Sequence, residues 1–236
     1  MSSSTADAVA ARPRGLRVVV VADQALTGEA VRTALTGHGF EFVGLSTPDT
    51  LTHARELGRR VDELSPDVGL LMQELDDPLH FRDALAVLRA VGTAEWLLLT
   101  GAADQARWGA GIEAGASAVM PMTIGLDRLA EALNLLASGA EVMTQAERDR
   151  LLALWQERSA ELRALTDRME RLSPREMEIL RALCDGRSVT AIASVGEVSV
   201  DTVRGQVKSV LKKLEVNSQL AAVAAYQRLS RLTRVE

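Results

Sequence analysis

The chain has 236 residues, of which 47% are hydrophobic and 25% charged, with a net charge of −5; this composition excludes a polar disordered chain and fits two domains of ordinary size. Its aliphatic runs, such as Val18–Ala22 and Leu97–Leu99, fall far short of the roughly 20 residues of a membrane helix. Cys184 is the only cysteine, and His38, His53 and His80 are the only histidines, so a disulfide framework and a multi-cysteine zinc site are excluded and a histidine metal centre is poorly supplied.

Residues 1–14 carry Arg12 and Arg14 after a run of small residues and hold no apolar segment. They read as a disordered tail rather than a signal peptide, which predicts a cytoplasmic protein with no membrane partner. From Leu16 to about Ala137, short aliphatic runs alternate with helical patterns: 16–22, 40–45, 67–72, 95–100 and 117–121. Near-continuous apolar strands separated by amphipathic segments predict a parallel sheet covered on both faces, a flavodoxin-like (βα)5 domain over residues 15–139. Chemistry in such a domain sits at the carboxyl ends of the strands. Those ends carry Ala22 and Asp23, Met72, Thr100, and Pro121 with Met122. Gly109, Gly111 and Gly115 follow a helical stretch and precede a strand; a phosphate-binding loop needs the reverse order, so these are turn and packing residues. No Ser/His/Asp or Cys/His arrangement supports an enzyme, and no cofactor is implied.

With TGAAD after the fourth strand and EAGASAVM entering the fifth, the alternation resembles a response-regulator receiver domain. The resemblance implies an acidic pair after the first strand to hold Mg²⁺, a phospho-accepting Asp at the end of the third, Ser or Thr after the fourth and Lys after the fifth. Thr100 fits. Ala22 and Asp23 stand at the acidic pair, Met72 at the acceptor and Met122 at the lysine. A thioether has no oxygen to attack phosphorus, and one carboxylate anchors a hard cation poorly. The expectation is a pseudo-receiver that undergoes no normal aspartyl phosphorylation. Glu74, Asp76 and Asp77 leave a displaced acidic site open beside a plain solvated loop. Two methionines in the former polar pocket would suit a protein partner or a small apolar ligand.

Residues 140–171 predict a helical linker. Leu151, Trp155, Leu162, Leu165, Met169 and Leu172 follow a 4-3 spacing interrupted at Arg158, roughly three heptads of seam, with dimerisation and packing on the chain's own receiver both open. Charge changes sign beyond it. Residues 1–171 hold 17 basic and 25 acidic side chains, residues 172–236 hold 10 and 7, and the three lysines, Lys208, Lys212 and Lys213, lie together.

The last segment, 172–236, is read as a helical domain. Ser173-Pro174-Arg175-Glu176 is a capping box with proline at the first helical position, predicting a helix to Cys184. Ser188 and Ser199 can cap two further helices around Val195-Gly196-Glu197-Val198, a helix-turn-helix. On the helix after Ser199, Val203, Val207, Val210, Leu211 and Leu214 share one face; Asp201, Gly205, Lys208 and Lys212 lie opposite, with Arg204 at the border. Residues 172–226 resemble, without a gap, the four-helix LuxR-type DNA-binding domain of NarL/FixJ-like response regulators. The chain departs from that pattern at Ala191 (usually Glu), Glu215 (usually Gly) and Gln219 (usually Arg). The resemblance implies that Arg204, Gly205 and Lys208 read bases and that Thr202, Lys212 and Lys213 contact phosphates.

The fold expected is thus α/β plus all-α: a pseudo-receiver, a helical linker and a helix-turn-helix domain. The function expected is that of a homodimeric, sequence-specific regulator of transcription bound to double-stranded DNA. A ligand-sensing regulator and a protein-interaction adaptor with weak DNA binding are the alternatives.

Overall fold

A computed structural model describes residues 15–22, 24–44, 54–92 and 94–233. The expected tail 1–14 and Asp23 lie outside these residues. The chain divides into two compact units, 1–153 and 154–236.

In the first unit, strands β1 (Arg17–Ala22), β2 (Glu41–Gly44), β3 (Val68–Met72), β4 (Glu95–Thr100) and β5 (Ala118–Pro121) form one sheet in the order β2-β1-β3-β4-β5. Every pairing is parallel, the doubly wound order expected from the alternation. Val18–Val21, Leu70, Leu71 and Leu97–Leu99 are buried, as strands covered on both faces require. Helices α1 (Ala25–Thr36) and α5 (Leu126–Ala137) supply Leu35, Leu129, Leu133 and Leu136 to the cluster formed by Val18, Val20, Leu70, Met72, Leu97 and Leu99. Helices α2 (Ala54–Leu64), α3 (Pro78–Ala90) and α4 (Gln105–Glu113) complete the unit. A Cβ at Gly69 would sit 2.4 Å from the Trp96 indole; the missing side chain lets Trp96 lie flat on β3, where it is 2% exposed. Gly109 and Gly111 fall inside α4 and Gly115 in the turn after it at φ +122°, the packing and turn roles expected.

Residues 145–170 form one helix, α6 (Gln145–Glu170). Leu151 is fully buried, while Arg148 and Arg150 beside it donate to the Ser117 carbonyl and to Gln105 of the first unit. Leu165, Met169 and Leu172 instead enter the core of the second unit. The apolar positions thus divide between the two units, Leu151 in the first and Leu165, Met169 and Leu172 in the second. The border between the two compact units falls inside this helix, after Ala153.

The second unit adds α7 (Pro174–Cys184), α8 (Val189–Val195), α9 (Val200–Leu214) and α10 (Gln219–Thr233). Ser173 and Glu176 form the reciprocal capping box; Ser188 accepts from the Ala191 N–H and Ser199 from the Thr202 N–H. These caps satisfy amides that a helix start leaves without partners. In the turn between α8 and α9, Gly196 keeps a right-handed φ of −87° and Glu197 takes the left-handed one, φ +50°.

Candidate nucleic-acid interface

The sorting of α9 into two faces creates the candidate interface. Val203, Val207, Val210 and Leu214 are buried at 0–5% exposure, packing against Ile179, Ile192 and Ala193 on one side and Leu165, Leu180 and Ala222 on the other. This burial turns Asp201, Thr202, Arg204, Gly205, Lys208 and Lys212 to solvent, where all six are exposed. Cations spaced along one exposed helix face can meet phosphates and guanine edges in a major groove. Thr202 exchanges a hydroxyl hydrogen bond of 2.8 Å with Ser199, and the Arg204 guanidinium donates to Asp201 at 3.0 Å.

Lys213 does not join this set. Its ammonium donates to Glu176 Oε2 at 2.6 Å, while Ser209 Oγ donates to Oε1 at 2.6 Å and the Ser173 N–H to Oε2 at 2.7 Å. Burial opposes ionisation of Glu176, but Lys213, Ser209 and Ser173 outweigh it and hold the carboxyl down at about 2. Lys213, expected at the phosphates, thus carries a structural ion pair to α7 while its side chain stays 36% exposed. The sequence marked Glu176 only as a capping partner; its link to α9 bridges 37 residues, beyond any local pattern.

Glu215, where the resemblance implies glycine, sits at φ +58° and ψ +40° at the end of α9. A left-handed conformation costs a side-chain-bearing residue about 1–2 kcal/mol. Its carboxylate lies 2.7 Å from Arg168 and 3.9 Å from Arg171, exposed pairs that offset part of that cost. The Glu215 and Val216 N–H groups still close onto Lys212 and Leu211, so the recognition-helix turn forms without glycine.

The receiver-like site has a different character. Ala22 and Met72 are in register on adjacent strands, 4% and 2% exposed, and Met122 packs against the same apolar cluster. Met72 is thus a core residue. Thr100 is fully buried, and its hydroxyl oxygen accepts from the Leu75 N–H at 3.2 Å and the Ala102 N–H at 3.1 Å. The acidic loop is similarly committed. Glu74 accepts from the Asp76 N–H, Asp76 from the Ala103 N–H, and Asp77 caps α3 through the Leu79 and His80 N–H groups. Arg107 of α4, which the sequence reading passed over, donates to the Leu75 carbonyl, lies 3.9 Å from Asp76 and Asp104, and stacks over Phe81. Among the described residues no group of three or more His, Cys, Asp or Glu could hold a metal ion.

No helix among the described residues is long and apolar enough to cross a membrane. Residues 170–225 match the family described as bacterial regulatory proteins, luxR family. The chain is 30% identical over 165 residues to a nitrate/nitrite response regulator protein homolog of Haemophilus influenzae, spanning 70% of this chain and 75% of that one. It is 32% identical over 145 residues to the nitrate/nitrite response regulator protein NarP of Escherichia coli, spanning 61% and 65%. Among solved structures, an RcsB response regulator of Salmonella typhimurium aligns at a TM-score of 0.46 with 20% identity, over 92% of this chain and 100% of that one. A five-stranded doubly wound unit followed by a capped helix-turn-helix, together with the luxR-family match and the Haemophilus influenzae relative, places the chain in the response-regulator family whose carboxyl-terminal domain is the DNA-binding, transcription-regulating luxR type.

Proposed function

We propose that this protein regulates transcription from the cytoplasm as a homodimer that reads a DNA sequence through α9, and that its amino-terminal unit works without aspartyl phosphorylation. Arg204, Gly205 and Lys208 meet base edges, while Thr202 and Lys212 bind phosphates. The observation that carries the reading is the division of α9 into a buried valine and leucine face and an exposed face with Arg204, Lys208 and Lys212. Gly205 strengthens it: a Cβ there would meet nothing of this chain within 4 Å, so the smooth spot serves something outside the fold. Dimerisation follows from reach, since one recognition helix covers a single half-site. Loss of phosphorylation follows from chemistry, because Met72 has no oxygen to accept a phosphoryl group and is withdrawn into the core. The protein acts by binding, not catalysis.

Gel shifts with the full chain on genomic fragments from upstream regions test the function. Retention of a subset of fragments against excess competitor duplex is expected. Equal, weak retardation of every fragment would favour the adaptor reading.

A further inference from the structure

The exposed face of α9 carries one acidic side chain among its cations. Asp201 lies one turn before Gly205 and two turns before Lys208, the spacing that keeps residues on one helix face. Its carboxylate is 88% exposed and accepts from Arg204, itself 68% exposed, at 3.0 Å. In the first turn of α9 it gains a modest contribution from the helix dipole, but the helix start does not depend on it. Ser199 already caps the helix through the Thr202 N–H, and an exposed pair between neighbouring turns adds little. Against a duplex, a bare carboxylate on this face is unfavourable toward every phosphate unless a donor meets it.

The major groove offers donors on two bases, the amino groups of cytosine and adenine. A carboxylate is an acceptor only. Adenine sets its N7 acceptor beside the amino group and repels a second carboxylate oxygen; cytosine has no such neighbour on its own edge. Arg204, held by one of its N–H groups, keeps other donors for the paired acceptors of guanine. The smooth surface at Gly205 lets the helix come close enough for a side chain as short as aspartate to reach.

We propose that Asp201 is a base-reading residue whose carboxylate accepts the amino group of a cytosine, beside the guanine that Arg204 reads. This rests on the assignment of α9 as the DNA-reading helix. It adds a cytosine to what that helix selects and makes Asp201 a specificity determinant as well as a brake on non-specific binding.

In vitro selection from a randomised duplex pool, using the full-length chain and its Asp201→Ala, Asp201→Asn and Arg204→Ala variants, tests it. The parent chain is expected to enrich a site with a cytosine preferred by about 5- to 150-fold at one position, the range of a single base mismatch. Asp201→Ala abolishes that preference and raises affinity for unrelated duplex. Asp201→Asn turns it toward adenine, because an amide can donate to N7 while accepting from the amino group. Arg204→Ala loses a guanine preference instead. Unchanged preferences in both Asp201 variants would overturn the proposal. So would an Asp201→Ala profile that loses only what Arg204→Ala loses, since Asp201 would then merely position Arg204. A parent chain that enriches no sequence would overturn the DNA-reading function itself, and the cytosine assignment with it.

Discussion

Glu176 and Lys213 stand 37 residues apart in the chain and 2.6 Å apart in space, tying the capped start of α7 to the last turn of the recognition helix. Glu176 is 7% exposed and held down at about 2, against an ordinary value of 4.5. A carboxyl depressed in the folded state stabilises fully above its unfolded value, and that stability is lost as pH falls from about 4.5 toward 2. The network is expected to contribute about 1–3 kcal/mol at neutral pH. Glu176→Gln should lower the melting temperature at pH 7 and flatten the acid limb of the stability curve. Lys213→Met should shift that limb to higher pH. An acid limb identical in parent and Glu176→Gln chains, followed by circular dichroism, would count against the network.

Gly205 gives an expectation in which stability and function move oppositely. Alanine fits the open space around this position and should raise helix stability by up to about 1 kcal/mol. The added methyl group would stand between α9 and the bases, weakening binding to a selected site by about 1–2 kcal/mol. A melt and a binding titration on the same sample check both signs.

The exposed cations should separate by role. Lys212→Ala is expected to weaken binding to all duplexes by a similar factor and to lower the salt slope by about one, because a phosphate contact releases counterions without reading sequence. Arg204→Ala and Lys208→Ala should cost about 1–3 kcal/mol on the selected site and much less elsewhere. Titrations at several salt concentrations on cognate and scrambled duplexes distinguish the two patterns.

Acetyl phosphate with Mg²⁺ should leave the intact mass unchanged, since Met72 offers no acceptor oxygen and is buried in the core. A stoichiometric gain of about 80 Da, one phosphoryl group, mapped to residues 72–77 would show a displaced acceptor instead.

The second unit should depend on the end of α6. A fragment of residues 154–236 retains Leu165 and Met169, both core residues; one of residues 172–236 lacks them. Each large apolar side chain lost from a core costs about 2–5 kcal/mol, so the shorter fragment should melt far lower or not fold. Matching melting curves for the two would assign α6 no part in that core.

The strands and the helix starts were legible in the sequence because their causes are local. Valine and leucine runs such as Val18–Val21 declare a strand buried on both faces, and Ser173, Ser188 and Ser199 bond amides only three residues away. The outward set on α9 was legible for a similar reason: a helical period sorts Val203, Val207, Val210 and Leu214 from Lys208 and Lys212 whatever the partner. Tertiary structure decided where faces and charges met across the chain. Lys213 looks like its two lysine neighbours, yet α7 brings Glu176 to its ammonium. The leucines of α6 keep a heptad-like spacing, yet Leu151 is buried alongside the first unit's partners while Leu165 and Met169 enter the second core, because spacing fixes a face and not what covers it. Thr100 ends a strand and the acidic loop follows β3, but only packing shows that their oxygens accept from nearby amides. Periodicity reports on contacts within a few residues, whereas a polar group's partner is set by whichever chain segment packing delivers to it.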